Sequence, residues 1–239
     1  MGGAARRFPA TRPSVLELAR SDDPDRRRVG FDALIAAYWK PVYTYVRLTW
    51  RADNEDAKDL TQGFFQRAME KDFFDGYQPS KARFRTFLRR CLDGYLANAW
   101  RGANRLKRGG GAQHVPLDDA LGTAAATEAE AEALFHREWV RSVFAQAVET
   151  LRARCAADGL DTRFAVFRRY DLEGLDQPVP PTYADLAREL RIPVTQVTNH
   201  LHWARDAFRD AVLTTLRSVC GSEAEYREEV RELLGASPP

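Results

Sequence analysis

The sequence predicts an all-α chain, and three observations carry that prediction. Apolar residues recur at three- and four-residue spacing through several long segments. Sustained apolar–polar alternation, the mark of a half-buried strand, is almost absent. Turn-forming clusters, Gly109-Gly110-Gly111 and Pro178, Pro180 and Pro181, punctuate the periodic segments. The 239 residues leave room for one or two domains. The expected layout is two helical domains joined by a flexible linker, with a short helical extension at the end. Residues 1–13 read as a flexible leader, 14–108 as the first domain, 109–127 as the linker, 128–219 as the second domain and 220–239 as an acidic extension.

Each element has a local reason. Ser14 can cap a short helix reaching Arg20, with Val15, Leu16 and Leu18 as its apolar content. Residues 22–28 read as a charged turn. A long helix is expected over 31–50, where Phe31, Leu34, Ile35, Tyr38, Val42, Tyr45 and Val46 form a stripe and Pro41 predicts a kink. Residues 54–71 form the next helix: Ala57, Leu60, Phe64 and Ala68 share one face, and Asp59, Gln62, Gly63 and Gln66 the other. A loop over 73–80 carries Gly76 and Pro79, and a second long helix spans 82–108 until the glycine triplet ends it. Ala-, Asp- and Gly-rich residues 112–127 suit a linker. Beyond it, helices are expected near 134–156 and 162–171. After the Pro-rich loop come two helices with a tight turn, and last a short acidic helix over 223–234.

Composition excludes several classes. Net charge is only +2, but its distribution is uneven. Residues 81–108 hold nine Lys or Arg against one acid, Asp93, whereas 109–135 hold five acids and no Lys or Arg. Such segregation favours a local polyanion contact over a general basic coat. Cys91, Cys155 and Cys220 are odd in number and far apart, which argues against a disulfide framework or zinc site and fits a reducing cytoplasm. No apolar run approaches the roughly 20 residues that span a bilayer, and the arginines at 6 and 7 precede no apolar core, so neither membrane span nor secretory signal is expected. Without a Gly-rich phosphate loop, metal-ligand cluster or nucleophile elbow, the expectation is a non-enzyme with no cofactor and no metal.

Two segments carry the chemistry of recognition. Thr182 is a good N-cap for residues 183–190, with Asp185 placed to complete a capping box. Arg191-Ile192-Pro193 makes a turn, although Arg191 sits where glycine would ease a positive φ. In the following helix Val197 and Leu201 face inward, leaving Thr195, Gln196, Thr198, Asn199 and His202 to face outward, with Arg205 and Arg209 for phosphate. A short helix, a tight turn and a helix rich in exposed hydrogen-bonding groups suit major-groove reading. The alternative is an ordinary helical hairpin with a polar face. The other segment is the basic helix. Arg83, Arg85, Arg89 and Arg90 at its start, and Arg101, Arg105, Lys107 and Arg108 at its end, can neutralise phosphates. Trp100, Phe84 and Phe87 can stack on bases; core packing is the competing role, and the favoured one for the two phenylalanines.

Tyr183-Ala184-Asp185-Leu186-Ala187, followed by Val197-Thr198-Asn199-His200-Leu201-His202-Trp203-Ala204-Arg205, resembles region 4 of bacterial sigma factors, in particular the extracytoplasmic-function (ECF) group of the sigma-70 family. Asp56-Ala57-Lys58-Asp59-Leu60-Thr61-Gln62-Gly63-Phe64-Phe65 is similar to that family's polymerase-binding helix, and the segment from Phe84 to Arg108 to its promoter-melting, minus-ten-reading helix. The resemblance spans residues 14–219 in the expected order. It implies a transcription initiation factor that docks on core RNA polymerase through Glu55, Asp56, Asp59, Gln62 and Gln66. Promoter DNA would meet region 2 at the minus-ten element, with Tyr77 near the captured base, and region 4 at the minus-thirty-five element. A solvated helix face is the simpler reading of the docking residues.

The docking helix departs from the common pattern. Lys58 stands where the family usually has Glu, and Gly63 at another commonly acidic position. Thr61 occupies a position where an aliphatic residue is common. The resemblance therefore suggests that phosphorylation of Thr61 restores charge, as serine/threonine kinases do for some sigma factors of this group. Phosphate adds about −1.5 to −2 charge. A half-buried Thr replacing Val is the alternative. An anti-sigma factor is another expected kind of regulator, and the acidic extension could fold back on a basic surface as a brake. The competing class is a stand-alone helix-turn-helix regulator that needs no polymerase.

Overall fold

A computed structural model describes residues 14–70, 73–109, 127–174, 177 and 179–235, with backbone alone from 103 to 109. The predicted leader and most of the predicted linker lie outside these residues. All the described elements are helical. They are α1 (Val15–Ala19), α2 (Pro24–Thr49), α3 (Asn54–Ala68), α4 (Phe84–Gly109), α5 (Glu128–Ala157), α6 (Asp161–Phe167), α7 (Tyr183–Leu190), α8 (Val194–Val219) and α9 (Glu223–Leu234). A π-helical turn, Arg168–Leu172, extends α6.

Caps set most of the starts. At the head of α1 the Ser14 amide donates to the Glu17 carboxylate and the Glu17 amide to the Ser14 hydroxyl. Of the residues 22–28 expected as a charged turn, 24–28 belong to α2: Asp23 caps it by accepting from the amides of Asp25 and Arg26, and Pro24 needs no partner at the first helical position. The same helix runs through Pro41 to Thr49. Thr127 and Glu130 form a capping box that starts α5 well before Leu134, where the apolar periodicity begins. The expected Thr182–Asp185 box is present, and α8 continues to Val219 as one helix.

The core runs through both halves of the chain. The buried face of α2, including Phe31, Leu34, Tyr38, Val42 and Tyr45, packs in a core shared with α1, α3, α5 and α8. Phe135 of α5 meets Tyr45 edge-on, and Phe84 of α4 meets Tyr38 likewise. Gln146 of α5 donates to the Ala36 carbonyl of α2. The segments 14–108 and 128–219, expected as separate domains, thus share one continuous hydrophobic core. Two smaller clusters lie beneath α7 and α8, one of them formed by Val166, Leu186, Ala187, Val197 and Leu201. They hold the helix-turn-helix to the far end of α5 and to α6.

Candidate nucleic-acid and partner interface

The helix-turn-helix is built as its residues dictate. Val197 and Leu201 pack inward against Leu186. Arg191 closes α7 in the left-handed region at φ 55°, so the turn forms despite the missing glycine. Arg169 fixes α7 from behind by gripping both carboxylate oxygens of Glu189, at 2.9 and 3.0 Å, a bidentate clamp that sequence reading missed because its partners are twenty residues apart. Thr195, Gln196, Thr198, Asn199 and His202 all lie on the exposed face of α8. Val194, 48% exposed at the helix start, adds an apolar contact of the kind that suits a thymine methyl. Arg205 is exposed but engaged: it binds both oxygens of Asp171 and lies over the Tyr170 ring. Arg188, Arg191 and Arg209 are also exposed.

The docking face is also displayed. Glu55, Asp56, Asp59, Gln62 and Gln66 are exposed along α3. Lys58 pairs with Glu55 at 2.9 Å and cancels part of this charge. A Cβ at Gly63 would meet the Tyr95 hydroxyl, so a side chain there requires that half-buried ring to shift. Thr61 lies on the opposite side. It is 0% exposed, and its hydroxyl has no hydrogen-bond partner. The expectation of an accessible phosphorylation site is corrected here, since i, i+4 spacing places Thr61 beside Ala57 and Phe65 on the core face.

The basic helix divides into two parts. Arg90, Arg101 and Trp100, the last 40% exposed, stand free of the core as a phosphate- and base-binding surface requires. Arg105, Lys107 and Arg108 have side chains outside the described residues. The head of the helix differs from expectation. Arg89 is 1% exposed and binds Asp93, Glu128 and Glu132. Arg85 is buried against Glu229 and over the Trp139 ring. Arg83 pairs with Glu228, Glu229 and Glu232. Tyr77, expected to meet a flipped base, is 5% exposed, packs beside Phe84 and Phe87, and donates its hydroxyl to Glu225 at 3.1 Å. The acidic residues that segregate in the sequence come from α5 and α9 and neutralise the basic helix internally.

Burial shapes the ionisation of this region. Desolvation pushes the Tyr38 and Tyr77 hydroxyls and the Glu225 carboxyl up. Glu132 is held below the usual carboxylate range: burial opposes this, but hydrogen bonds from Thr86 and Arg89 outweigh it. Burial raises the Cys91 thiol to about 11, away from thiolate chemistry. Among the described residues, His136, Glu229 and Glu232 bring ligand-type atoms within 4.8 Å of one another, but Arg83 and Arg85 already supply positive charge to those carboxylates. No described helix is long and apolar enough to cross a membrane. No protein-family model matches the chain, and no curated protein is similar to it at a significant level.

Proposed function

We propose that this chain is a non-enzymatic transcription initiation factor of the ECF sigma type, which docks on core bacterial RNA polymerase and directs it to promoters. The observation that carries the reading is the exposed face of α8: five hydrogen-bonding side chains on two successive turns, with the apolar positions between them buried. Two features support it. The acidic and amide face of α3 is open to a partner, and Arg90, Trp100 and Arg101 offer cation and aromatic surface to single-stranded DNA. Thr195, Gln196, Thr198, Asn199 and His202 read a duplex element, Arg188 and Arg209 position phosphates, and α3 supplies the polymerase contact.

Regulation by a serine/threonine kinase at Thr61 requires α3 to open from the core first, because the hydroxyl is enclosed. An anti-sigma factor acting on exposed α3 needs no such opening.

The test is binding of the purified chain to core polymerase, with promoter-library selection by the complex. Stoichiometric binding and enrichment of a two-element promoter are expected. Sequence-specific duplex binding by the free chain, with no affinity for polymerase, identifies the stand-alone helix-turn-helix regulator instead. Binding to neither overturns both readings.

A further inference from the structure

The C-terminal helix lies across the head of α4. Glu225 accepts hydrogen bonds from the Phe84 amide at 2.8 Å, the Gly221 amide at 2.8 Å and the Tyr77 hydroxyl at 3.1 Å. Its carboxylate thus sits at the N-terminus of α4, where helix geometry favours an anion. One turn further along, Glu229 takes Arg83 and Arg85, and another turn on, Glu232 takes Arg83 again at 2.7 Å. The carboxylates recur about every 4.5–6 Å along the axis and so present a row of negative charge, as a nucleic-acid backbone does. Glu225 at one end of this row covers Tyr77, an aromatic ring of the kind on which single-strand bases stack. Within α9 only Tyr226 and Val230 are apolar side chains buried in the core.

We infer that α9 is an intramolecular latch whose carboxylates stand in for a nucleic-acid backbone at the head of α4. It keeps Arg83 and Tyr77 from DNA until a polyanion displaces it. The inference rests on the nucleic-acid reading above and adds its regulation: the free chain is held in a closed state, and an open state presents a longer single-strand surface continuous with Arg90.

The experiment uses the full-length chain and the double variant Glu228→Gln/Glu232→Gln, which alters two solvent-facing carboxylates and leaves Glu225 and Glu229 in place. Amide hydrogen exchange of residues 223–234 and anisotropy of a fluorescein-labelled single-stranded oligonucleotide are measured at the same low salt concentration. Oligonucleotide binding is expected to speed exchange in α9 of the wild type, and the double variant to bind about tenfold more tightly. Adding Arg83→Gln to the double variant should remove that gain. Faster exchange in the variant with no gain in affinity makes α9 a purely structural helix and overturns the latch. Undiminished protection of α9 in the DNA-bound wild type does the same. If neither chain binds DNA, alone or with core polymerase, the nucleic-acid reading itself fails.

Discussion

At the scale of single residues, Thr61 and Lys58 lie three positions apart on α3 and have opposite fates. Thr61 is enclosed with its hydroxyl unpaired, and a buried orphan hydroxyl costs about 1–3 kcal/mol. Thr61→Val keeps the shape and removes the polar atom, so we predict a gain of about 1 kcal/mol, seen as a rise in Tm. Thr61→Glu buries a charge and should cost about 3 kcal/mol or more. Equal stability of Thr61→Glu and wild type would show that the side chain reaches solvent, and would restore Thr61 as an accessible acceptor. Lys58 is exposed and ties up Glu55. Under the proposed function, Lys58→Glu should raise the association rate with core polymerase by about threefold at low salt, with the gain disappearing at high salt. A salt-independent or absent change in surface-plasmon kinetics removes α3 as the docking element.

At the scale of elements, the joint between α8, α9 and α4 is the sensitive one. Gly221 sits against the Tyr77 ring, where a Cβ would collide with both ring and hydroxyl. Because that ring is buried, it cannot swing away, and Gly221→Ala should cost about 1–3 kcal/mol and speed amide exchange in α9 selectively. Unchanged exchange there means the contact does not hold α9. His136 gives this joint a pH dependence. It faces Arg85 of α4 and Arg83 just before that helix, Glu132 on its own helix and Glu232 from α9, and desolvation, followed by Arg85, lowers its pKa below the ordinary 6.5. A lowered histidine binds protons more weakly in the folded chain than in the unfolded one. Stability is therefore lost as pH falls from about 6.5 toward the lowered folded value and is regained above 6.5. Glu232, held below its ordinary 4.5 mainly by its hydrogen bond from Arg83, stays ionised through that window. We predict that His136→Gln flattens the slope of unfolding free energy against pH between about 5 and 7. Identical slopes in urea titrations would assign the dependence to other groups.

At the scale of the whole molecule, α5 decides the architecture. Its first half fills the core made by α2 and α4 through Phe135 and Trp139, and its second half supports the helix-turn-helix through Leu151 and Cys155. One core shared by both halves predicts a single cooperative unfolding transition. Trp139→Ala should cost about 3–5 kcal/mol and lower that one transition as a unit. Two calorimetric transitions, with only one moved by the variant, would mean that the halves fold independently.

What was legible in the sequence follows the range of the interactions. Helices, caps and buried stripes arise from partners three or four positions apart, so the class, α3, α4 and the helix-turn-helix could be read directly. The exposure of Thr195, Gln196, Thr198, Asn199 and His202 follows from the same periodicity once Val197 and Leu201 face the core. The segregation of charge was equally visible, but not its destination. Arg89 meets Glu132 across 43 residues and Arg83 meets Glu229 across 146, and no local pattern encodes such pairings. The sequence by itself determined an all-helical chain with a displayed α3 face and a displayed α8 face. Only the tertiary structure decided that Thr61 and Tyr77 are enclosed, that both halves share a core, and that α5 and α9 take the place at the head of α4 that the basic residues had suggested for DNA. The reason is that a guanidinium is neutralised by whichever carboxylate the fold brings within reach, and proximity in space is a property of packing.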